Sequence, residues 1–257
     1  MKNTEKLIAL KTILSKEVIR FLRIWLQTLV PPAITMVLYF VIFGNLIGSQ
    51  IGDMGGFKYI EYIIPGLIMM SVITNSYSNV VSTFFTAKMY GHIQEMLISP
   101  VPNHIILIGY IGGGMARGLM VGLIVTLVSL FFSNLSIEHP VITIAIVILT
   151  SMLFSIAGLI NAIYAKNFDD ITIIPTFVLT PLTYLGGVFY SINMLSDFWQ
   201  SVSLANPVLY MVNGFRYGIL GVSDISPIAS FSLLIVFIVA LYAYAYYLLK
   251  KGVGIRS

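Results

Sequence analysis

Six long apolar stretches are the feature that most constrains how this chain can fold. Crossing the hydrocarbon core of a bilayer takes about 20 mostly apolar residues, and polar connections separate the stretches. They cover residues 24–47, 63–85, 105–132, 141–163, 171–192 and 228–249. Only 9% of the residues are charged, against about 25% in soluble domains. The sequence therefore predicts an all-α polytopic membrane protein with six transmembrane helices, and residues 1–257 form one transmembrane domain.

The N-terminal arm, residues 1–23, has the pattern of an amphipathic helix. Its apolar residues recur at helical spacing, and Lys16, Arg20 and Arg23 are predicted on the opposite face. A helix of this kind lies in the plane of the membrane surface. In the first apolar stretch, Pro31 and Pro32 predict a kink.

The distribution of lysine and arginine predicts the orientation. The arm carries six cations, Lys88 and Lys166 follow on the same predicted side, and the tail adds Lys250, Lys251 and Arg256. The other side has only Lys58 and Arg216. Positively charged residues concentrate on the cytoplasmic side of membrane proteins. We therefore expect both termini in the cytoplasm, which requires an even number of spans.

Motifs for catalysis or metal binding are absent from the sequence. It contains no G-x-x-x-x-G-K-[ST] phosphate loop, no H-E-x-x-H and no G-x-S-x-G. The three histidines have no metal-ligand spacing, and there is no cysteine. Asp169 and Asp170 are adjacent, and neighbours on a helix diverge by about 100°, which favours a capping corner. We expect no catalytic residue, metal or cofactor in this chain, and thus a transporter, channel or structural subunit.

A signature near the fifth stretch resembles that of the permease subunits of type-2 ABC transporters. It reads Leu179-x-x-Leu182-x-x-Leu185-Gly186-x-Val188, then Leu195-Ser196, Pro207-Val208-x-Tyr210 and Arg216. Gly186, Pro207, Tyr210 and Arg216 carry the match, and Val208 departs from it within an apolar slot. The whole chain is similar to the YadH-like branch of this family, with matching segments at 112–118 and 215–218.

The resemblance implies an ATP-driven exporter in the bacterial inner membrane. Its permease would pair with a second permease copy and two separate ATPase subunits, which would hold the ATP and Mg. The other expected partners are membrane lipids, and no nucleic acid is expected. Drug, lipid and polysaccharide exporters all occur in the family. Few ionisable groups in the spans favour an amphipathic or lipid-linked substrate.

The family's coupling element lies between spans two and three, here in the loop 86–104. Ile93, Met96 and Leu97 share one helical face, Glu95 projects elsewhere, and Pro100 ends the segment. An apolar face of this kind suits docking in a groove of the ATPase. The alternative is a surface helix resting on lipid headgroups.

Polar residues form stripes on spans two and five, which the family places centrally. Small polar residues line a conduit or serve helix packing equally well, so the substrate pathway and packing both remain open for these positions. The stripes are Ser71, Asn75, Ser78 and Ser82 on span two, and Thr172, Thr176, Thr180 and Thr183 on span five.

Span three combines a close-packing motif with an intramembrane charge. Gly114, Gly118 and Gly122 are spaced for close contact with another helix. Arg117 acts as a pathway or gating charge, or extends to the cytoplasmic headgroups.

The long connection 193–227 contains two apolar pieces too short to cross the membrane. Asn206 and Pro207 form a typical cap and first residue of a helix. We expect re-entrant or interfacial helices on the outer side, acting either as a lid or as an anchor. Two other function classes stay open as alternatives: a secondary transporter or channel without an ATPase, and an intramembrane enzyme acting on lipids.

Overall fold

The structure, a computed structural model, describes residues 2–133 and 135–254, without the side chains of Asn45 and Ser49. Arg256 of the basic tail lies outside these residues. The α-helices are α1 (Asn3–Arg23), α2 (Trp25–Thr28), α3 (Val30–Tyr39), α4 (Gly48–Ile51), α5 (Tyr59–Met89), α6 (His92–Ile98), α7 (Asn103–Ser129), α8 (Pro140–Tyr164), α9 (Asp170–Ile174), α10 (Thr180–Tyr184), α11 (Asp197–Leu204), α12 (Pro207–Leu220) and α13 (Pro227–Lys251).

Three further helical segments differ in their hydrogen-bond spacing. Phe40–Ile47 and Pro175–Leu179 are π-helical, and Ile192–Met194 is a 3-10 turn. The predicted glycine-rich turn before span two is instead a small antiparallel hairpin, β1 (Asp53–Met54) and β2 (Phe57–Lys58). The all-α class is therefore confirmed apart from this hairpin.

Helix α5 is the centre of the fold. It packs against α7 and α8, and α12 also contacts it. The predicted second span, 63–85, is extended to 31 residues because the helix begins earlier, at Tyr59, and ends later, at Met89. At its other end, the Lys88 ammonium donates to the carbonyl oxygens of Ile163, at 2.7 Å, and Ala165, at 2.5 Å. A cation on the last carbonyls of a helix is stabilising, so this contact joins the ends of α5 and α8.

Four helices in the described residues are long and apolar enough to cross a membrane. They are Trp25–Gly44, Asn103–Ser129, Pro140–Tyr164 and Pro227–Lys251. The first of these is interrupted near Ile24 and Leu29, next to the prolines that predicted a kink. Helix α5 is long enough but richer in hydroxyl and amide side chains. A total of six spans remains a prediction.

The predicted fifth span, 171–192, is shorter than expected. Its helical part runs only from Asp170 to Tyr184 in three pieces, and at about 1.5 Å per residue it falls short of the roughly 30 Å of hydrocarbon. Pro175 begins the π-helical piece, and Gly187, at φ 69°, lies in the turn that follows. At the start, the Asp170 carboxylate accepts from the backbone amide of Lys166 at 2.7 Å, a capping role.

The predicted close-packing face of span three is confirmed. A Cβ atom added at Gly118 would overlap the side chain of Ser76, and one at Gly122 would lie 2.7 Å from Val72. Only glycine lets α7 approach α5 this closely.

Candidate functional site

A single polar strip is the accessible part of the central helix. From Tyr62 to Ala87, the residues of α5 that are not buried are Met70, Thr74, Ser78, Ser82 and Thr86. They recur every four residues and so follow one another along one side of the helix. We call these five residues the α5 strip. Four of the five carry hydroxyl groups, whereas the exposed residues of α13 include Ile235, Val236 and Val239.

The structure divides the predicted stripe on span two. Ser78 and Ser82 belong to the α5 strip, but Ser71 and Asn75 are buried. The Ser71 hydroxyl donates to the Leu67 carbonyl, and the Asn75 amide donates to the Ser71 carbonyl at 3.0 Å. Ser71 and Asn75 therefore do not line an accessible surface of the chain, and the packing alternative fits these two positions. Helical spacing identified a polar stripe but not the side of α5 that other helices cover.

Arg117 is directed into the protein and not along α7 to the headgroups. Its guanidinium donates to the Asn75 side-chain oxygen at 3.2 Å. Both the nitrogen and the oxygen of the buried Asn75 side-chain amide therefore have hydrogen-bond partners. This contact positions the charge of span three behind the α5 strip.

The threonines of span five are mostly accessible. Thr172, Thr176 and Thr180 are exposed, and Thr183 is buried with its hydroxyl on the Leu179 carbonyl. The packing alternative therefore also fits Thr183. The π-helical piece of this segment packs against α5.

The predicted coupling segment forms a short helix with its apolar face turned inward. Gly91, at φ 79°, makes the turn that lets α6 follow α5 directly. Ile93 is fully buried, and Met96 and Leu97 pack partly against the core. The predicted docking face is therefore wrong for Ile93, because the chain covers it itself. The exposed side presents Glu95 and Ile98, the latter 87% exposed, with Pro100 beyond them.

Helix α1 packs on the protein through a face that includes a carboxylate. Ile13, Glu17 and Phe21 are buried, and α1 lies against α7. Arg20 was predicted on the opposite face, yet its guanidinium donates to Asn79 of α5 at 2.9 Å. The predicted placement of Arg20 on the opposite face is therefore wrong, because its side chain contacts α5.

Glu17 and Arg20 of α1 both have shifted pKa values, and the charge of each residue opposes the pKa shift of the other. Burial raises the pKa of Glu17, and the neighbouring Arg20 and Lys16 charges lower it in opposition. Burial likewise lowers the pKa of Arg20, against the effect of Glu17. The two side chains are 3.7 Å apart, from the Arg20 Nε to a Glu17 oxygen, which is beyond hydrogen-bonding distance.

Among the four signature residues, Arg216 contacts the first turns of α5, and the other three lie in the connection before α12 or in α12 itself. A Cβ atom on Gly186 would lie 2.8 Å from Val208, Pro207 begins α12, and the Tyr210 hydroxyl donates to the Leu204 carbonyl at 3.0 Å. Arg216 is completely buried. It donates to the Tyr62 carbonyl at 3.3 Å and the Gly187 carbonyl at 2.6 Å, and its guanidinium carbon is 4.0 Å from the Tyr62 ring centroid.

The connection 193–227, predicted to form re-entrant or interfacial helices, contains two helices that differ in burial. Asn206 caps α12 by accepting from the Val208 amide at 3.0 Å, as predicted. However, α12 is enclosed by α5, α8 and α13 and buries most of its residues. Only α11, with Phe198 and Trp199 exposed, has the character of a surface helix. Helix α12 is therefore part of the core, because its apolar residues surround the full circumference.

Known proteins resemble this chain over most of its length. Residues 8–220 match the model of the ABC-2 type transporter family. The inner membrane transport permease YadH of Escherichia coli K12 is 58% identical over 250 residues, which cover 97% of this chain and 98% of that protein. The same identity and coverage hold for YadH of Shigella flexneri. Nodulation protein J of Neorhizobium galegae is 21% identical over 179 residues, covering 69% of this chain and 68% of that protein.

Proposed function

Because the chain belongs to the ABC-2 type transporter family of permeases, we propose that it is the permease subunit of an ATP-driven exporter. It resides in the bacterial inner membrane with both termini in the cytoplasm. Two copies form the substrate pathway between them, and each copy binds one separate ATPase subunit.

The α5 strip is the observation that carries the pathway proposal. Polar groups facing lipid are unfavourable, and the central helix of this fold exposes hydroxyls along its one accessible line. A second permease copy facing this strip would enclose it, and the exposed Thr172, Thr176 and Thr180 would extend the polar wall. Hydroxyls interspersed with Met70 and Phe177 suit an amphipathic substrate without a strong charge.

Coupling is assigned to the exposed side of α6. Glu95 and Ile98 project from a short helix at the cytoplasmic end of α5. The buried Ile93 attaches the same helix to the core. A push on α6 by the ATPase would therefore be transmitted to α5 and change the shape of the pathway, a shift between two states that requires different contacts in each.

Tryptophan substitutions test the pathway. Ser78→Trp and Thr180→Trp should leave assembly with the ATPase intact but remove substrate-stimulated ATP hydrolysis, because the indole fills the route. Leu123→Trp is the control, since Leu123 is 60% exposed on span three, and it should behave as the wild type. If the Ser78 and Thr180 variants retain full stimulation, the α5 strip is not the pathway.

An aspartate on α6 tests coupling. Ile98→Asp should release the ATPase during purification, because losing a central apolar anchor costs about 2 kcal/mol or more. Ile137→Asp changes another exposed isoleucine, in the connection before α8, and should keep the ATPase. Normal ATPase stoichiometry in Ile98→Asp would exclude this docking surface.

Cysteine labelling tests the orientation. The chain has no cysteine, so Ser201→Cys should react with an impermeant thiol reagent in intact cells and Ser99→Cys should not. The reverse pattern would place the termini outside.

A further inference from the structure

A cavity of about 240 Å³ lies between α1, α6, α7 and the end of α5. Its lining includes Lys16, Glu17, Arg20, His92 and Tyr110. Lys16 and His92 also line a neighbouring surface depression along α6. The two residues therefore lie where the cavity meets the surface.

The charges around this cavity do not balance. Lys16 and Arg20 face one carboxylate, that of Glu17, and the Arg117 charge is close enough to interact with Arg20. Buried charges are stable when they are paired. Lys16 is exposed at the mouth of the cavity, and the other nearby carboxylate, Glu95, lines only the neighbouring depression, 3.7 Å from His92. Within the cavity, Lys16 and Arg20 therefore face Glu17 alone, and an anion would compensate the excess of positive charge.

Two lining residues have polar atoms without a hydrogen-bond partner that could serve as donors. They are the Arg20 Nε, which lies 3.7 Å from an equally unpartnered oxygen of Glu17, and the Tyr110 hydroxyl. Buried polar groups normally have partners. A group that accepts hydrogen bonds would supply a partner for both.

We propose that this cavity binds a phosphate group, held by Lys16 and Arg20 with the Tyr110 hydroxyl as a further donor. Guanidinium and ammonium groups form strong, charge-assisted bonds to phosphate. Its source is either the phosphodiester of an anionic lipid headgroup or free phosphate.

The position of α1 favours the headgroup. Leu7, Ile8 and Ile19 are 66%, 65% and 58% exposed, so α1 presents apolar side chains to its surroundings beside the cavity. An amphipathic helix with such a face lies at the level of the headgroups. A headgroup would thereby connect α1 to the coupling helix.

Lipid titration of the purified full-length permease tests the proposal. In non-ionic detergent, native mass spectrometry should count one saturable phosphatidylglycerol per chain. Arg20→Gln and Lys16→Gln should each weaken binding about tenfold, as expected for the loss of one charge-assisted hydrogen bond. Lys11→Gln removes an exposed cation of α1 away from the cavity and should leave binding unchanged.

Two further measurements distinguish free phosphate from the lipid headgroup and add a conservative variant that should fold normally. Competition by inorganic phosphate would identify free phosphate as a ligand, and its failure would identify the headgroup. Tyr110→Phe removes only a hydroxyl and should also weaken binding. The proposal is overturned if neither ligand binds saturably, or if Lys11→Gln loses as much affinity as Lys16→Gln. The test needs no ATPase, so its result is independent of the proposed transport function.

Discussion

Two arginines, the fully buried Arg216 and the partly buried Arg20, contact the central helix toward its two ends and are held in different ways. Arg216 binds two backbone carbonyls and stacks on the Tyr62 ring. Arg20 instead binds the side chain of Asn79 and approaches Glu17 without a hydrogen bond. Backbone acceptors are fixed by the fold, whereas side-chain acceptors can change rotamer. The comparison indicates a rigid end of α5 near Tyr62 and an opposite end whose contacts can rearrange.

Asp224 extends the rigid outer cluster. Its carboxylate accepts from the Ser191 hydroxyl at 2.8 Å, the Ile192 amide at 3.1 Å and the Tyr62 hydroxyl at 3.4 Å. It therefore joins the connection after span five to the start of α5.

The largest effect is expected from the outer arginine. Arg216→Gln should lower the free energy of unfolding by about 3–5 kcal/mol, the usual cost of breaking a fully buried charged cluster. Thermal unfolding of the purified protein in detergent measures this. Arg216→Lys keeps the charge but cannot reach both carbonyls with the same geometry, so it should recover only part of the loss. An unchanged unfolding midpoint in Arg216→Gln would remove the distinction between the two ends.

The next largest effect on stability is expected from one of two matched substitutions, Asn213→Asp and Asn79→Asp. Asn213 is buried, and its side-chain oxygen accepts from the backbone amide of Asp224 at 2.9 Å. Asn213→Asp should therefore lower the free energy of unfolding by about 3 kcal/mol, because it introduces an unpaired buried charge. Asn79→Asp places the same charge opposite Arg20, where cations are in excess, and should cost much less. Equal midpoints for the two variants would mean that the inner end has no shortage of negative charge.

Neutralising Asp224 should have a moderate effect. Asp224→Asn keeps the shape but weakens the bonds from Ser191, Ile192 and Tyr62, costing about 1–3 kcal/mol. The exposed Asp197→Asn on α11 is the control, and its unfolding midpoint should match the wild type. A loss no larger than in this control would show that the Asp224 bonds contribute little.

The smallest effect is expected at Glu17 and depends on pH. Its pKa is raised above the ordinary value of 4.5 by burial, so the folded protein holds this proton more tightly than the unfolded chain. The contribution of Glu17 to stability is therefore complete below pH about 4.5 and decreases as the pH rises through the raised pKa. Glu17→Gln should unfold with a midpoint that changes less between pH 4 and 7. Parallel pH profiles for the two proteins would contradict this.

Local sequence signals predicted the helices well and their surroundings less well. Asn206 and Pro207 were sufficient to predict the start of α12, because a cap and its proline act within one turn. The end of span five was missed, although Pro175, Pro181 and Gly187 were visible in the sequence. The apolar run beyond them reads as a continuing helix when only hydrophobicity is considered.

The candidate site could be predicted only in part. A four-residue period identifies residues that share a side of α5, but both 71/75 and 74/78 satisfy it. Thr74 and Thr86 were missed, and the choice between the two sides followed from the helices that pack on Ser71 and Asn75. The same reason explains why Ile93 and Arg20 face inward.

The sequence by itself determined the membrane class, the family and the helical segments, because hydrophobicity, charge bias and capping act over a few neighbouring residues. The tertiary structure decided which side of each helix is covered, which hydroxyls remain accessible on α5, and that Arg216 and Arg20 bind toward its two ends. These properties depend on contacts between residues far apart in the chain, as between Arg20 and Asn79 or Arg216 and Gly187. Periodicity places side chains relative to their own helix, and only packing places them relative to the rest of the protein.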